Sequence, residues 1–555
     1  MRRALVLALL GLNGCLLVLD YGDYEDSTGG TTTTAATGGD GAGGAGGTGG
    51  AGGAEVCSPG ESVDCYSGPD GTIGYGLCSA GQKTCDPQGA GFGECEGEVV
   101  PSLEIALNDA DEDCDGAVSG QALWKARFGD AEDQTAKHVA VDALGNVVLA
   151  GSFQGTLDIG GGKTVGPAPA PGPGMFVARL EPGGAPLWIQ ERSAAAMPRV
   201  AEGVAVDSAG NVTVVGHFVD TAASPDPAGF VLQLDPAGGE RWVQELSGTS
   251  AAAVLGVAVG PLDAVFAIGR YRGDITLANK LYSSVGGADD VLIVEYDADG
   301  NPVWSQSFGG ASDDVPRAVA VNGAGEAFVT GEYRGAPAGL PDAQDKMIPG
   351  FSAVFVMKTG EDGSVKWKKG FPGESFTAGN ARGTSVALDA EGAVWVTGAM
   401  HGDASFVSGG LPWAGGADVF LARLDGALGE VLWARSFGDA ADQAGTGVAV
   451  AEDGGIFVAG TFSGSIDFDP DTTGDELTAQ SGQDMFVVKL DSMGKALWSA
   501  RLAQGEVAGP RDVRLAVHGG EVVLAGGWMG GLDLGNGGVS TPLGGLDVFA
   551  VGLTQ

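Results

Sequence analysis

The chain has 555 residues, of which 101 are glycine, and it carries 71 acidic against 29 basic side chains, for a formal net charge of −42. Sites for nucleic-acid backbones and anionic lipid surfaces need clustered Lys and Arg, so this balance argues against both classes of partner. The glycine content, with plentiful Leu, Val, Ala and Phe, is typical of many short strands joined by tight turns. We therefore expect an all-β protein.

Residues 1–15, MRRALVLALLGLNGC, have the form of an export signal, with basic residues followed by an apolar stretch. The last four residues resemble a bacterial lipoprotein box, in which Gly14 gives a peptidase access and Cys15 takes a thioether-linked lipid. The resemblance implies an exported chain that touches the lipid bilayer through this anchor alone, at the outer membrane or cell surface. An ordinary signal peptide or an uncleaved anchor is the alternative.

Residues 16–54 follow as a Gly/Thr-rich segment, and its main part, residues 27–54, contains no large apolar residue. Such a sequence cannot bury a core, so we expect a disordered linker. A flexible spacer directly after a lipid attachment site would hold the folded part away from the membrane.

Residues 55–117 form a separate segment that carries six cysteines. An even number of cysteines in a small exported module predicts three disulfide bonds and leaves their pairing open. No CxxC pair occurs, so zinc ligation by thiolates is the weaker alternative. The disulfide candidates are Cys57, Cys65, Cys78, Cys85, Cys95 and Cys114.

The stretch CYSGPDGTIGYGLCSAGQKTC and the later DEDCDG at 111–116 resemble a Cys-rich module with a metal-binding motif, found ahead of varied repeats in bacterial surface lipoproteins. That module usually has another cysteine where Ala106 stands. The resemblance therefore does not supply a disulfide pattern for this chain.

DEDCDG places Asp111, Asp113 and Asp115 at alternate positions before Gly116. This spacing resembles the start of a calcium loop, in which carboxylates face one ion and glycine permits a sharp turn. The closing Glu of such a loop is absent, because Ala122 occupies its position. We predict Ca²⁺ as the one candidate cofactor, with a solvated acidic turn as the alternative.

From residue 122 onward, a unit of about 62 residues with four short apolar runs recurs to the end of the chain. The first run reads HVAVD, GVAVD, GVAVG, AVAVN, SVALD, GVAVA and, from residue 512, DVRLA. The fourth run always contains a tryptophan: Trp124, Trp188, Trp242, Trp304, Trp367, Trp433 and Trp498. Runs of this length, rich in Val and Phe and bounded by Gly, Asp or Asn, predict β-strands.

The repeat opens with a fourth-type strand at about 122–129 and closes with a third-type strand, VFAVGL, at the C-terminus. An open solenoid gives no reason for this offset, whereas a closed ring does. We therefore predict that residues 122–555 form a seven-bladed β-propeller of four-stranded antiparallel blades. The N-terminal strand would complete the last blade, with small Val and Ala strands inside and the Trp strands at the rim.

The units VAVDALGNVVLAGSF and MFVARLEPGGAPLW resemble the bacterial β-propeller repeat called SBBP. The resemblance covers about residues 122–555. It implies a propeller in a surface setting and no particular reaction.

The motifs GDAEDQ, GASDDV and GDAADQ precede predicted inner strands. In a closed ring their carboxylates would gather around one mouth of the channel and could attract a cation or a basic partner, although Asp at turns needs no such role. The candidate binding residues are Asp130, Asp133, Asp313, Asp314, Asp439 and Asp442.

The sequence contains no catalytic motif such as GxSxG or HExxH. The four histidines, His138, His217, His401 and His518, fall in different predicted blades. We therefore expect a non-enzymatic surface protein whose propeller binds an unknown protein or glycan. The alternatives are a glycan hydrolase or lyase with channel carboxylates, and a purely structural envelope protein.

Overall fold

The computed structural model describes residues 57–555 except 109, 169–172, 193–197, 220–225, 247–249, 336–350, 373–379, 403, 409, 470–475, 481, 505–511, 535–538 and 541–543. The predicted signal peptide, Cys15 and the predicted linker lie outside the described residues. In the described part, no helix has the length and apolar character that a membrane crossing requires.

Four strands precede the first blade: β1 Ser62–Cys65, β2 Gly81–Thr84, β3 Glu104–Ile105 and β4 Ala122–Phe128. Three disulfides join the N-terminal module within the described residues: Cys57–Cys85, Cys65–Cys95 and Cys78–Cys114. The predicted set of six paired cysteines is therefore confirmed, and the structure supplies the pairing that the sequence left open.

Seven sheets then follow in chain order. Blade 1 has β5 Gln134–Val141, β6 Val147–Phe153, β9 Gly174–Leu180 and β10 Pro186–Glu191, with a hairpin of β7 Leu157–Asp158 and β8 Thr164–Val165. Blade 2 has β11 Arg199–Val206, β12 Val212–Phe218, β13 Ala228–Leu234 and β14 Glu240–Leu246. Blade 3 has β15 Ala252–Val259, β16 Val265–Tyr271, β19 Asp290–Tyr296 and β20 Pro302–Phe308, with the 3-10 turn Pro261–Asp263 and a hairpin of β17 Asp274–Leu277 and β18 Lys280–Ser283.

Blade 4 has β21 Asp314–Val321, β22 Ala327–Arg334, β23 Ser352–Thr359 and β24 Val365–Phe371. Blade 5 has β25 Asn380–Leu388, β26 Val394–His401, β27 Asp418–Leu424 and β28 Val431–Phe437. Blade 6 has β29 Gln443–Val450, β30 Ile456–Phe462, β33 Asp484–Leu490 and β34 Ala496–Arg501, with a hairpin of β31 Ser465–Ile466 and β32 Leu477–Thr478. Blade 7 has β36 Asp512–His518, β37 Glu521–Trp528 and β40 Asp547–Thr554, beside a small sheet of β35 Ala503–Gln504, β38 Gly531–Asp533 and β39 Val539–Ser540.

The ring closes in blade 7, as the offset of the repeats predicted. The N-terminal strand β4 pairs antiparallel with the C-terminal strand β40, with Lys125 opposite Val551 and Phe128 opposite Val548. The sheet order is β36-β37-β40-β4, so the last blade is assembled from both ends of the repeat region. The seven-bladed, all-β prediction is confirmed.

The hydrophobic core is divided among the junctions between blades. Each pair of neighbouring blades encloses an apolar cluster, for example Phe176 and Val548 between blades 7 and 1, or Trp395 and Phe486 between blades 5 and 6. Third strands such as Gly174–Leu180 are buried at every position. Strands covered on both faces by neighbouring sheets explain why these runs are apolar throughout rather than alternating.

Each rim tryptophan packs on the next blade. The ring of Trp304 lies so close to the turn glycine Gly363 that a β-carbon there would come within 2.5 Å of it, and the φ of +73° also favours glycine. The indole N–H of Trp304 donates to the Glu361 carbonyl at 3.1 Å, and that of Trp188 donates to the Pro236 carbonyl at 2.9 Å. These contacts give the Trp strand its predicted packing role at the outer edge.

The N-terminal module is attached to blade 6, which the sequence did not predict. Strand β3 adds parallel to β34, with Glu104 opposite Trp498, and the Ala106 amide donates to the Ser499 carbonyl at 2.9 Å. Blade 6 therefore has five strands. Ala106 is buried against Trp498, which is only 2% exposed.

Candidate functional site

The two faces of the ring differ in their connections. In an antiparallel blade, the turns that join strands one to two and three to four lie at one end, and all other connections lie at the opposite end. The first set consists of tight turns, such as 142–146, in which Asp142 Oδ1 accepts the amides of Leu144 and Asn146 at 2.8 Å. We call this end the turn face. The other end, the loop face, carries long segments that include the hairpins after β6, β16 and β30.

Two of the predicted mouth residues, Asp130 and Asp439, occupy equivalent places on the loop face. Asp130 accepts hydrogen bonds from the Thr156 amide at 2.8 Å and from the Gln134 side chain at 2.6 Å. Burial acts in the opposite direction, yet these hydrogen bonds hold the pKa of Asp130 below its ordinary value. Asp439 makes the same contacts with Ser465 and Gln443, so both carboxylates tie a loop to its own blade.

Three others bridge neighbouring blades. The carboxylate of Asp133 accepts the Leu546 amide at 2.9 Å, that of Asp442 accepts the Ala417 amide at 2.9 Å, and that of Asp313 accepts the Asp289 amide at 3.1 Å. Each bond joins a loop before a first strand to the end of the preceding blade's long loop. These hydrogen bonds provide a structural role, and a binding role for the mouth carboxylates stays a prediction.

Asp314 differs from the other mouth residues because it is fully buried. It occupies the position of Gln134 and Gln443 in blades 1 and 6, and its Oδ1 atom has no hydrogen-bond partner among the described residues. Burial raises the pKa of Asp314 to about 7, although the Gly310 amide lowers it by donating at 2.7 Å, and Asp290 raises it further. Asp314 is therefore shielded from solvent in the folded ring, and its binding role stays a prediction.

The channel itself contains a cavity of about 150 Å³ to which all seven innermost strands contribute. Its lining is apolar or hydroxylated except for His138, Arg317 and Arg514, and no acidic side chain of the described residues is part of it. Burial lowers the pKa of His138 to about 3, and the charges of Arg514 and Lys137 act in the same direction. At neutral pH, His138 is uncharged, so the positive charge of the lining comes from the two arginines.

A second cluster lies where the N-terminal module meets blade 6. Carboxylate oxygens of Glu104, Asp111 and Asp113 all lie within 4.8 Å of one another. Glu104 is 1% exposed and Asp111 is 8% exposed, and Asp111 Oδ1 has no hydrogen-bond partner among the described residues. Burial raises the pKa of Glu104, and burial followed by the charges of Asp115 and Asp111 raises that of Asp113.

This cluster overlaps only in part with the sequence-predicted calcium set. Asp115 is not a member, and its Oδ1 instead accepts the Ala117 amide at 2.7 Å. Glu104 takes its place, brought in by strand β3 and held by the amides of Glu112 at 2.9 Å and Ser119 at 3.1 Å. Sequence reasoning missed Glu104 because it lies outside the DEDCDG motif. The only available signal was an acidic residue in the otherwise apolar segment LEIAL.

No family model matches the sequence. An uncharacterised WD repeat-containing protein of Acanthamoeba polyphaga mimivirus is 22% identical over 475 residues, which cover 68% of this chain and 34% of that protein. The chain thus spans about a third of the length of this curated relative. The comparison supports a distant relationship to repeat propellers and leaves the SBBP type a prediction.

Several solved structures are similar at low sequence identity. Puromycin hydrolase in complex with PGG aligns over 74% of this chain and 54% of its own, with 13% identity and a TM-score of 0.40. The phage phi92 endosialidase aligns over 79% and 69%, with 10% identity and a TM-score of 0.38. An ulvan lyase aligns over 76% and 97%, with 9% identity and a TM-score of 0.38. These values are too low to carry a functional argument.

Proposed function

We propose that the chain is an exported lipoprotein, anchored through Cys15, whose propeller is a non-enzymatic binding scaffold for a surface protein or glycan. The difference between the two faces carries this proposal. The turn face is built from tight turns, whereas the loop face presents long segments on a rigid ring, and binding residues are concentrated on loops of that kind. The loop face also exposes Leu281 (63%) and Trp413 (42%), side chains that a partner could cover.

An enzyme is the second candidate, since propellers can assemble carboxylates across the channel. The channel lining favours the scaffold over this candidate. A glycosidase needs paired carboxylates about 5 to 10 Å apart. Among the described residues, the cavity is instead lined by two arginines, a histidine and hydroxyl groups. A purely structural envelope protein is the third candidate and would need no ligand at either face.

Capture from a detergent extract of the cell envelope tests the scaffold. The bait is the purified chain with Cys15→Ser, and the loop-face variant adds Trp413→Ser and Leu281→Ser. The matched control adds Leu144→Ser and Met493→Ser, which are 78% and 76% exposed on the turn face. We expect a saturable partner that the loop-face variant loses about tenfold and the control retains. Equal capture by both variants would contradict the proposed face.

Lipid labelling tests the anchor separately. Cells that express the chain should incorporate radioactive palmitate into it, and Cys15→Ser should abolish the label and release the protein from the membrane fraction. Continued palmitate labelling of Cys15→Ser would show that Cys15 is not the lipid attachment site, and the proposed lipoprotein anchor would be wrong.

We also propose that Glu104, Asp111 and Asp113 bind one Ca²⁺ ion. Oxygen ligands suit this hard cation, and the remaining positions of its coordination shell can be filled by carbonyls or water. Three carboxylates held this close repel one another, and the buried, unpartnered oxygen of Asp111 leaves a ligand available. The cation would offset two of the three negative charges of the ionised cluster and fix the module on blade 6.

Thermal unfolding of the full chain after chelation measures this effect. At a calcium concentration about 100 times the dissociation constant, binding stabilises a protein by about 2.7 kcal/mol. Calcium should raise the melting temperature of the wild type and of Asp115→Asn, the control outside the cluster, but not of Asp111→Asn. Loss of the response in Asp115→Asn, with a normal response in Glu104→Gln, would restore the set read from the sequence, which contains Asp115 and not Glu104.

A further inference from the structure

The cavity in the centre of the ring differs in charge from the rest of the molecule. The chain carries 71 acidic and 29 basic side chains, yet the charged groups in the cavity lining are basic. A random sample of this sequence would be acidic, so the composition of the lining calls for a specific explanation. The relevant side chains are Arg317, Arg514 and His138.

The backbone of the innermost strands explains how Arg317 reaches the cavity. In blades 1 to 6 the pairing of the first with the second strand is interrupted by a bulge, as between Pro316 and Ala318. The bulge adds one residue and turns its side chain away from the regular alternation. At this bulge, blade 4 has Arg317, whereas blades 5 and 6 have Thr384 and Thr446.

Blade 7 has no such interruption and supplies Arg514 directly from the ladder, opposite Ala525. His138 stands at the same register in blade 1, opposite Ala150. Blades 7 and 1 are neighbours, and the charge of Arg514 acts on His138. Blade 4 lies across the ring from them, so the two arginines approach the cavity from opposite sides.

Both guanidinium groups have partners in the wall of the cavity. Arg317 forms an ion pair with Glu332, in which Nη2 donates to Oε1 at 2.5 Å, and the Nη1 of Arg514 donates to the Val513 carbonyl at 3.1 Å. A guanidinium has five N–H donors in a fixed fork, so an arginine in such a wall can bind an oxyanion and a wall group together. The other nearby acid, Glu202, lies 3.7 Å from His217 and is not part of the lining.

The hydroxyl groups of the lining complete the site. Thr384 and Thr446 donate to the carbonyls of Gly445 and Val513 and so connect blades 5, 6 and 7. The Ser385 oxygen accepts the Val448 amide at 3.1 Å, which leaves its O–H to donate. Hydrogen bonds therefore link the walls of neighbouring blades, and of these three hydroxyl groups it is Ser385 that can donate to a ligand in the cavity.

We infer that the central cavity is a binding site for a small oxyanion, held between Arg317 and Arg514. The shared ligand chemistry is a carboxylate, sulfate or phosphate group, to which arginine forms paired charge-assisted hydrogen bonds. The volume of about 150 Å³ holds roughly ten water molecules, which suits a small ion or the charged end of a larger ligand. This inference rests on the proposed binding function and names a ligand class for it.

Isothermal titration calorimetry on the full chain tests the site, with inorganic sulfate, inorganic phosphate and malonate as separate probes. Ionic strength is held constant with sodium chloride, so that general screening is the same in every titration. We expect saturable one-site binding of at least one probe. The preferred probe distinguishes a sulfate, a phosphate or a carboxylate group as the natural ligand. Absence of saturable heat for all three would overturn the inference.

Matched variants locate the binding. Arg317→Gln and Arg514→Gln should each weaken the affinity at least tenfold, whereas Lys495→Gln, which removes one exposed positive charge at a turn outside the cavity, should leave it unchanged. Equal affinity in all folded variants would overturn the inference. If one arginine variant fails to fold, the other decides, since the two residues come from different blades. Loss of partner capture at the loop face does not affect this result, so the two proposals can fail separately.

Discussion

In blade 7, as in the other six blades, the rim tryptophan of the preceding blade packs on the outer strands, but the covalent connection between those strands differs. In blades 1 to 6 a tight turn joins the third strand to the fourth, and its glycine receives the rim tryptophan of the preceding blade. In blade 7 these two strands come from opposite ends of the repeat region and no turn joins them. Trp498 of blade 6 therefore meets Gly120 and Ala106 instead of a turn glycine.

The contacts that replace the missing turn come from residues in or beside the last blade and from the N-terminal module. The Gln121 carbonyl accepts the Thr554 amide at 2.9 Å, and the Gln121 amide donates to Thr554 Oγ1 at 2.8 Å. The indole N–H of Trp124 donates to Glu521 Oε1 at 2.5 Å. At this one junction the ring is therefore closed by side-chain contacts and hydrogen bonds, without a covalent turn. The Cys-rich module is part of that closure and not an independent appendage.

The largest effect is expected from removing the tryptophan of the closing strand. Trp124→Ala should lower the free energy of unfolding by about 3 kcal/mol, because no turn tethers strand β4 to β40 and the change also removes the hydrogen bond to Glu521. Trp304→Ala, the same change in blade 3, should cost about 2 kcal/mol, since a tight turn still tethers its strand. Denaturant unfolding gives both values, and hydrogen exchange should show early opening of β40 in Trp124→Ala alone.

Equal losses in the two variants, with no difference in exchange at β40, would show that the covalent turn is irrelevant. The comparison between blade 7 and the other blades would then have no energetic meaning.

The junctions also differ on the loop face. In blades 1 and 6 the motif FGDA-x-DQ places Gln134 or Gln443 beside a buried aspartate of the preceding blade. A β-carbon on Gly438 would lie 2.4 Å from Gln443 Oε1 and 2.6 Å from Asp418 Oδ1. Blade 4 reads FGGASDD, so Asp314 faces Asp290 and two carboxyl groups share one buried site. Asp313, Tyr333 and Lys368 are further titratable groups that interact with Asp314.

Asp314→Gln should stabilise the protein by about 2 kcal/mol at pH 8 and by nothing at pH 4. The folded-state pKa of about 7 lies above the ordinary value of 3.8, so folding requires a proton on Asp314 once the unfolded chain has lost it. Each unit of pKa shift corresponds to about 1.4 kcal/mol of stability. The expected stabilisation is smaller than the whole shift would give, because blade 4 has Gly310 where blades 1 and 6 have the Asp that binds the Gln side chain. Melting temperatures between pH 4 and pH 8 measure it.

The reverse change provides the control. Gln443→Asp builds a second carboxylate pair with Asp418, and its destabilisation should grow over the same pH range. A melting temperature of Asp314→Gln that follows the wild type in parallel at all pH values would refute the shared-proton explanation.

The closed ring could be predicted from the sequence because the residues that determine it form short local patterns that recur seven times. Val and Ala runs, turn residues such as Asp142 and the recurring tryptophans predicted strand order, blade number and the closing strand. For the first strand of blade 7, the sequence comparison aligned DVRLA with the first runs of the other blades, which is two residues out of register. The run that corresponds to HVAVD starts at Arg514 and not at Asp512, since both His138 and Arg514 pair with the alanine of their second strands.

The candidate sites could be predicted only in part, because they depend on contacts between distant segments. The grouping of mouth carboxylates was visible in sequence, but the backbone amides that they bind belong to neighbouring blades. Glu104 joins Asp111 and Asp113 only after β3 pairs with blade 6. The basic cavity lining required both the closed ring and the bulge at Arg317, and a bulge leaves no mark in the hydrophobic pattern.

The smallest effect is expected from one disulfide of the module. A double Ser substitution at Cys78 and Cys114 removes the disulfide that constrains the loop with Asp111 and Asp113. Because this loop contacts Glu104 in β3, the pairing of β3 with β34 should weaken as well. Hydrogen exchange at the outer edge of β34 should then rise about tenfold, equivalent to about 1.4 kcal/mol of local stability. Removing Cys57–Cys85, which closes a loop of similar length away from β3, should leave that edge protected. If hydrogen exchange at the edge of β34 rises equally in both variants, the module protects that edge as a whole. The DEDCDG loop would then have no separate part in covering Trp498 between blades 6 and 7.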